Sequence, residues 1–405
     1  MTTVDRMYPY CSTCKGRLYC GKPSCPVLDR IYRRYPQVVV DGSTLSGATP
    51  PEVFVGRYGY PKVGVGPLLP VSESEDPAKL GRPSLWGDLT VEDIVMIRSG
   101  MMRARSPVHV RRPDQFVEAS QTIALSAKPV DTEVEIKKLH ERRRTDPFYA
   151  PMGPTADVIR TEVISNPSVP RRVDAAVSDT DAPARVAVLE MLDAGIDVYH
   201  STRLLSVGLL GKSRRRKLVP TRWAITATDD IVGKALIGEI AVNTSVDEVR
   251  YYRYTHLGNT FHIILYPGEW RYEMLECWLH GALWAGQANV IQDYEDHRGR
   301  KTYADKITGA YYSARLAVLE QLVKERRRAS VLIYREISNE YWAPLGVWVI
   351  REGARKAMET VPVVHETVND AVKSAVFHSE NKNWTKTSWI LKERRQQTRL
   401  TDFVK

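Results

Sequence analysis

The chain has 405 residues, of which 43% are hydrophobic and 9% are aromatic. This apolar content is enough to bury a sizeable core, so the composition excludes a disordered chain, and the length suits two or three domains. Lys and Arg outnumber Asp and Glu by 58 to 48, which gives a formal net charge of +10. Such an excess of positive charge favours polyanionic partners such as nucleic acid, although basic surfaces also occur on proteins that do not bind DNA.

The start of the chain carries no sign of secretion. Residues Met1–Met7 lack the apolar run of a signal peptide, and no later window holds about 18 uninterrupted apolar residues for a membrane span. We therefore expect a cytoplasmic protein with no membrane partner. Cysteines in a reducing compartment stay free or bind metal, and this decides how the five cysteines are interpreted.

Four of the five cysteines fall close together near the start of the chain: Cys11, Cys14, Cys20 and Cys25. Gly16 and Gly21 supply the tight turns needed to bring four thiolates round one ion, and four thiolates suit the tetrahedral coordination of a structural zinc site. The spacing differs from a symmetric pair of C-x2-C motifs, and Cys25–Pro26 is also typical of iron–sulfur proteins. We expect residues 1–30 to form a zinc knuckle, with an iron–sulfur cluster as the alternative.

The chain after the cysteines predicts short strands and helices separated by loops rich in Gly, Ser and Pro. Gln37–Val40 and Val53–Tyr58 have the composition of strands, and Asp88 or Thr90 is placed to cap a helix. Asp131–Arg144 alternates acidic and basic residues with few apolar ones, which predicts a solvated helix.

Two stretches interrupted by prolines, Thr145–Ala156 and Asn166–Pro183, are the predicted linkers. The first divides an N-terminal α+β region, residues 31–150, from a C-terminal α+β domain, residues 155–385. Residues 386–405 are expected to form a flexible tail.

Within the C-terminal domain, Ala184–Ala194 has apolar residues at helical spacing and stops at Gly195, and Ala314–Val323 is a second amphipathic helix. β-Branched and aromatic residues predict further strands at Trp223–Thr226, Tyr251–Tyr254, Phe261–Tyr266, Val331–Tyr334 and Val347–Ile350. Helices and strands interleave without a regular βαβ rhythm. The predicted fold class is therefore α+β, a mixed sheet with flanking helices.

The densest positive run of the chain is followed by a tryptophan. The candidate nucleic-acid contacts are Lys212, Arg214, Arg215, Arg216, Lys217 and Arg222. These cations suit phosphate groups and Trp223 is placed to stack on a base, while the alternative is an ordinary solvated face. Gly208–Ser213 superficially resembles a phosphate-binding loop, but Ser206 stands where the first glycine is required, which argues against ATPase activity.

Several polar residues of the C-terminal domain are candidates for nuclease or transferase chemistry. They are His256, His262, Glu269, Glu273, Asp293, Glu295, Asp296 and His297. Carboxylates and imidazoles hold Mg²⁺ or act as acid and base, but no spacing here is diagnostic of a reaction. Structural roles are the alternative for each of them, and Cys277 is interpreted as a buried core thiol.

The last residues of the chain carry a peptide motif. Gln397, Leu400, Phe403 and Val404 resemble the PCNA-interacting peptide, in which a glutamine is followed at three by an aliphatic residue and at six and seven by an aromatic pair. Val404 replaces the second aromatic residue, which weakens docking. Leu400 and Phe403 lie on one side of a 3₁₀ turn and form an apolar plug for a pocket on the clamp, whereas the alternative is a tail packed on its own core.

Three longer stretches resemble the archaeal Nre family: Gly56–Val63, Arg216–Asp230 and Tyr341–Trp348. Within the first stretch, Arg57 and Tyr58 lie between glycines, as in a ligand-facing loop or a tight structural turn. With the cysteine cluster and the terminal peptide, the resemblance covers nearly the whole chain. It implies a DNA repair protein that works with the PCNA sliding clamp, and we add contact with DNA through the basic face. The alternatives are a DNA-acting enzyme with its site in the C-terminal domain and a scaffold that meets DNA only through the clamp.

Overall fold

The computed structural model describes residues 18, 21–25, 29, 43–72, 74–140, 153–282 and 289–396. The chain folds as two compact units, each assembled from segments that are distant in sequence. Described residues of 30–232 and 344–348 make up the N-terminal unit, and those of 233–343 and 349–405, together with those of 1–29, make up the C-terminal unit. The described strands form one six-stranded mixed sheet in each unit, with helices beside it, which confirms the α+β class.

The sheet of the N-terminal unit has six described strands, and in the chain order two helices fall between them. Its strands are β1 Thr44–Thr49, β2 Val53–Val55, β3 Lys62–Pro70, β4 Met101–His109, β5 Val130–His140 and β6 Thr155–Val163. They lie in the order β1-β5-β6-β4-β3-β2, with the β4–β6 pair parallel and the other described pairs antiparallel. Val63 and Val65 of β3 are buried in one apolar cluster with Val117, which lies in the helix that follows β4.

The helices of this unit begin at side-chain caps or prolines. They are α1 Val91–Ser99, α2 Gln115–Leu125, α3 Arg171–Ser178, α4 Ala184–Asp193, α5 Val198–Ser206 and the first part of α6 Thr221–Ile240. Thr90 and Asp93 form a capping box at the start of α1, in which each side chain accepts from the other residue's backbone N–H. Asp114 and Asp197 cap α2 and α5 in the same position, each with one carboxylate bond to an N–H of the first turn.

The C-terminal unit has a sheet that is buried along most of its length. Its strands are β7 Val249–His256, β8 Asn259–Tyr266, β9 Arg271–Trp278, β10 Val290–Glu295, β11 Ser330–Ile337 and β12 Val363–His365, in the order β10-β9-β11-β8-β7-β12. The β9–β11 pair is parallel and the other described pairs are antiparallel. Its helices are α7 Gly309–Glu325, α8 Trp348–Glu359, α9 Val368–His378, α10 Trp384–Thr387 and α11 Trp389–Gln396. None of the described helices has both the length and the apolar character that crossing a bilayer requires.

Most of the predicted elements that fall on described residues are confirmed. Thr90 caps α1, Ala184–Ala194 corresponds to α4, and Gly195 follows that helix with a φ of +79°. Ala314–Val323 lies within α7, and three of the predicted strands lie within β7, β8 and β11. The strand predicted at Gln37–Val40 lies outside the described residues.

The helix predicted at Asp131–Arg144 is wrong, because strand β5 occupies Val130–His140. Val130, Thr132 and Val134 are buried, and the acidic residues between them are exposed. The charged residues therefore occupy one face of a strand with a period of two, instead of surrounding a helix.

Two predicted strands are helical. Trp223–Thr226 lies in the first turns of α6, and Val347–Ile350 runs into the start of α8. Aromatic and β-branched residues favour strands mainly through the packing they find, so the tertiary setting overrides their preference here. The linker predicted at Asn166–Pro183 contains α3, which is ordered because Val173 and Ala176 are buried.

A buried carboxylate holds the last described helix against the sheet. Glu273 of β9 accepts hydrogen bonds from Ser388 Oγ at 2.6 Å and from the backbone N–H groups of Trp389 and Ile390 at 2.6 and 3.0 Å. Ser388 Oγ also accepts from the N–H of Leu391 at 3.2 Å. The N–H groups at the start of α11, which have no acceptor within the helix, are satisfied in this way. Burial raises the pKa of Glu273, and the bonds from Ser388 and the helix act against this rise.

Replacing Glu273 with alanine removes the acceptor of the buried Ile390 N–H and leaves the Trp389 N–H with only the longer bond to Gln292 Oε1 at 3.2 Å, so we expect the free energy of unfolding to fall by about 2–4 kcal/mol. Urea unfolding followed by tryptophan fluorescence measures this change. Glu269→Ala is the matched control, because it removes an exposed carboxylate just before the same strand and should shift stability by less than about 0.5 kcal/mol. Equal stability of the two variants would contradict the role assigned to Glu273.

Candidate nucleic-acid interface

The loop after β2 presents two tyrosines to solvent. Strand β2 ends at Val55, earlier than predicted, and the chain turns back into β3. Tyr58 is 71% exposed and Tyr60 is 40% exposed, although both are large aromatic residues. Gly59 has a φ of +81°, and a Cβ there would lie 2.7 Å from the carbonyl oxygen of Lys62, so this turn requires glycine.

Trp223 lies beside this loop. Its side chain is 47% exposed, and its ring centroid is 5.4 Å from that of Tyr60, with the two planes inclined at 52°. Thr221 fixes the start of α6, because its Oγ1 accepts a hydrogen bond from the N–H of Val55 at 2.9 Å and lies 3.1 Å from Ser206 Oγ. The end of β2 therefore positions both the tyrosine loop that follows it and the helix that carries Trp223. We call Tyr58, Tyr60 and Trp223 the aromatic patch.

Two cations contact the aromatic patch directly. Lys217 Nζ donates to Tyr60 Oη at 3.3 Å. The guanidinium carbon of Arg57 lies 4.7 Å from the ring centroid of Tyr58, a distance at which a cation is attracted to the face of the ring.

Backbone hydrogen bonds bring two further arginines to this surface. The N–H of Val110 donates to the carbonyl oxygen of Pro61 at 2.9 Å, and the N–H of Leu218 donates to that of Val110 at 2.9 Å. Arg111 and Arg112 follow directly and are exposed. The loop, the residue after β4 and the segment before α6 are thus joined by backbone hydrogen bonds.

The predicted basic run contains residues of two kinds. Arg216 is half-buried and donates to the carbonyl oxygens of Gly211, Val177 and Asp179 at 2.7, 2.8 and 2.8 Å, and burial lowers its pKa. It therefore ties the run to the rest of the unit. The exposed members of the run are Lys212, Arg214 and Arg215, and the half-buried Lys217 and Arg222 lie closer to the aromatic patch in sequence.

This surface combines the two components that proteins use to bind single-stranded nucleic acid. Aromatic rings stack on bases whatever the sequence, and lysines and arginines contact phosphate groups. The cations and Trp223 are recognisable in the sequence, but Tyr60 is not recognisable as their partner, because the contact joins residues far apart in the chain. The glycine-rich setting of Gly56–Val63 was the available signal.

Two family models match the chain. The model described as archaeal Nre, N-terminal, matches residues 19–285, and the model described as archaeal Nre, C-terminal, matches residues 295–403. The chain belongs to the archaeal Nre family. This confirms the resemblance that the sequence motifs indicated.

Similar members of the Nre family align over most of their length. DNA repair protein NreA of Archaeoglobus fulgidus is 39% identical over 378 residues, which cover 92% of this chain and 95% of that protein. DNA repair protein NreB of the same organism is 37% identical over 399 residues, 97% of this chain and 100% of that protein. DNA repair protein NreA of Haloferax volcanii is 36% identical over 348 residues, 82% of this chain and 83% of that protein. No solved structure matches the chain.

Two of the predicted sites fall mainly outside the described residues. These are the knuckle ligands Cys11, Cys14 and Cys20, and the docking residues Gln397, Leu400, Phe403 and Val404. Cys25 is described and is half-buried. Gly21 has a φ of +70° and its N–H donates to the carbonyl oxygen of Leu18 at 3.0 Å, which is the kind of tight turn expected beside the cysteines.

The carboxylates considered for catalysis have structural partners in the C-terminal unit. Asp293 accepts from the backbone N–H of Ile307 at 2.8 Å and pairs with Arg300 at 2.9 Å. Glu295 pairs with Arg315 at 2.8 Å, and both side chains are buried. With Glu273 at the start of α11, these groups each stabilise one connection of the fold.

The candidate histidines are also tied into the core. His262 is buried, its Nδ1 lies 2.8 Å from Tyr251 Oη, and its ring stacks on Tyr251 and Tyr334. His256 is buried as well, and burial lowers its pKa to about 4, with nearby Lys356 acting in the same direction. The remaining candidates, Glu269, Asp296 and His297, are half-exposed or exposed. Among the described residues, no group of three or more His, Cys, Asp or Glu is arranged to hold a metal ion.

Burial holds the pKa of His256 at about 4 in the folded protein, whereas the histidine has an ordinary pKa of about 6.5 in the unfolded chain. As the pH falls, the unfolded chain therefore binds this proton before the folded protein does. Stability is therefore lost between about pH 6.5 and 4. We expect His256→Gln to reduce this acid-induced loss by about 2 kcal/mol, measured as the difference between urea unfolding at pH 7 and pH 4.5.

His297→Gln is the matched control, because it makes the same substitution at an exposed position. Identical acid sensitivity of the His256→Gln variant and the natural protein would show that His256 does not titrate as its burial requires.

Proposed function

We propose that this protein acts in DNA repair and contacts DNA through the aromatic patch and the cations beside it. The observation that carries the proposal is the group formed by Tyr60, Trp223 and Lys217, in which two exposed rings and an ammonium lie within contact distance. Three relatives in the Nre family are named DNA repair proteins, which supports the repair role.

The geometry of the patch favours a splayed single strand. Tyr58 and Trp223 have large exposed faces, and stacked bases inside a duplex offer no free face to such rings. Arg111, Arg112 and Arg214 are exposed in the same unit and suit the phosphates of a strand that continues past the rings.

The second part of the proposal is recruitment by the PCNA sliding clamp through Gln397, Leu400, Phe403 and Val404. Helix α11 ends at Gln396, and the contacts of Arg271 with Glu393 at 2.6 Å and of Arg394 with the ring of Tyr266 fix this helix to the sheet. The nine residues that follow can span at most roughly 30 Å when extended. This is enough for a docking peptide to bind a pocket on a partner.

The third part of the proposal is a zinc ion bound by Cys11, Cys14, Cys20 and Cys25. The donor set supports zinc, because four thiolates complete a tetrahedral shell and leave no open position for chemistry. An iron–sulfur cluster is the alternative occupant of the same four cysteines. In either case the group would hold the start of the chain in shape.

If the aromatic patch stacks on bases, Trp223→Ala and Tyr58→Ala should each weaken binding of a single-stranded oligonucleotide about tenfold, since one stacked base contributes about 1–3 kcal/mol. Fluorescence anisotropy with the full-length protein and a labelled strand measures the affinity. Arg214→Gln should instead lower the slope of log K against log salt by about 0.7, as expected for one lost phosphate contact with a single strand.

Phe377→Ala is the matched control for the aromatic substitutions, because Phe377 is 77% exposed and lies in the other unit. It should bind the oligonucleotide as tightly as the natural protein. If the Trp223→Ala and Tyr58→Ala variants also retain full affinity, the aromatic patch is not the DNA contact.

Ending the chain at Gln396 should abolish binding to purified PCNA, whereas Val404→Phe should strengthen it because the second aromatic anchor is restored. Calorimetric titration of full-length and shortened proteins against the clamp measures both effects. Undiminished binding by the shortened protein would exclude the terminal peptide as the docking element.

A further inference from the structure

A second polar site of the N-terminal unit is a cavity of about 160 Å³ at the start of α5. Residues around Gly81, the segment at Pro170 and the first turn of α5 line it. The aromatic patch does not contribute to its walls. Pockets for drug-sized ligands measure roughly 300–1,000 Å³, so this cavity suits a single small group.

Two arginines line the cavity. Arg82 is exposed and lies between two short 3₁₀ turns. Arg203 of α5 donates one hydrogen bond, from Nη2 to the carbonyl oxygen of Ser126 at 3.3 Å, while its buried Nε has no partner. Burial lowers the pKa of Arg203 to about 10, so this cation has lost hydration that an anionic ligand would replace.

His200 adds a hydrogen-bond acceptor to the same wall. It lies one turn before Arg203 on α5, is 5% exposed, and its buried Nε2 has no hydrogen-bond partner. Hydrogen bonding with the backbone of Leu125 and Ala124 acts against the fall in the pKa of His200. Because Nε2 has no partner, we assign these bonds and the proton of the neutral ring to Nδ1. Burial lowers the pKa of His200 to about 4, so the ring is neutral and Nε2 presents a lone pair.

The acidic groups near these residues leave the site positive. Asp197 lines the cavity and uses one carboxylate oxygen to cap α5, accepting from the N–H of His200 at 2.8 Å. Glu52, whose charge also acts on Arg203, is already paired with Arg98. The lining of the cavity therefore carries two guanidinium groups, those of Arg82 and Arg203, and one carboxylate, that of Asp197.

We propose that this cavity binds a phosphate monoester group, with Arg82 and Arg203 donating to its anionic oxygens and His200 Nε2 accepting from its P–OH. The arginines supply the charge-assisted bonds that phosphate recognition relies on. The neutral imidazole of His200 supplies selectivity. A ligand that bonds to both the arginines and this imidazole has to carry negative charge and a proton. Sulfate has the size and shape of phosphate but no proton to donate. A phosphate monoester keeps its P–OH only up to its second pKa of about 6, so the titrations are made at pH 6, where His200 is still neutral. The site is separate from the proposed DNA contact of the aromatic patch.

Calorimetric titration of the full-length protein with inorganic phosphate and with sulfate tests the proposal. We expect phosphate to bind at least tenfold more tightly than sulfate, and Arg82→Gln to weaken phosphate binding about tenfold. Arg185→Gln is the matched control, because it removes the same charge from an exposed position outside the cavity and should change phosphate affinity less than twofold.

His200→Gln tests the acceptor. A glutamine amide can donate as well as accept, so the preference for phosphate over sulfate should narrow to less than threefold. Arg82 is exposed, so its substitution leaves the fold intact even where a change at His200 does not. Absence of phosphate binding, equal affinity for sulfate, or equal loss in the Arg82→Gln and Arg185→Gln variants would overturn the proposal.

Two sources of the phosphate group are then separated with a deoxynucleoside 5′-monophosphate and with oligonucleotides that end in a 5′-phosphate or a 5′-hydroxyl. A preference for the phosphorylated strand that disappears in Arg82→Gln identifies a DNA end as the ligand. Binding of the mononucleotide alone, with the same loss, identifies a free nucleotide. Trp223→Ala should leave phosphate binding unchanged, so failure of the DNA contact and failure of this site can be told apart.

Discussion

Buried carboxylates that accept bonds from backbone N–H groups are the interaction on which the C-terminal unit depends. Glu273 satisfies the start of α11, Asp293 satisfies the segment before α7, and Glu336 accepts from the N–H groups of Glu380 and Asn381 at 3.0 and 2.8 Å. An isolated buried charge is strongly unfavourable, and several donors are needed to offset its lost hydration. Each carboxylate therefore specifies which segment lies against which strand.

The N-terminal unit fixes its surface by a different means. Thr221 bonds to the end of β2, and the backbone of Val110 bonds both to the tyrosine loop and to Leu218. These contacts place the ring of Trp223, from a helix, beside the ring of Tyr60, from a loop. Lys217 donates to the hydroxyl of Tyr60. The cations of the basic run differ in their partners, because Arg216 donates to three carbonyl oxygens of its own unit.

The sequence predicted those features that depend on local patterns. The α+β class, the cap at Thr90, helix α4 and the strands β8 and β11 all follow from spacing and composition, and the family was identified from short motifs. Strand β5 was missed because alternating charges are also typical of a solvated helix. The helical state of Trp223–Thr226 was missed because strand preference is decided by tertiary packing.

The candidate sites were predictable to different extents for the same reason. Exposed cations are visible in a sequence, whereas the contact of Tyr60 with Trp223 requires the fold. The cavity residue His200 gave no signal at all, because nothing in its neighbourhood along the chain indicates that its Nε2 is buried without a partner. Five of the eight acidic and histidine residues considered for catalysis are buried groups of the fold, and the sequence alone does not distinguish them from a catalytic site. They are His256, His262, Glu273, Asp293 and Glu295.

The cap that Glu273 provides has a consequence for how the end of the chain meets a partner. Helix α11 is already ordered by the sheet, so a molecule that binds the proposed docking residues would not have to order this helix as well. If α11 melted, the chain between the sheet and the proposed docking residues would be longer, and the effective concentration of those residues at a partner would be lower. A carboxylate of β9 thus sets the length of chain that separates the sheet from the proposed docking peptide.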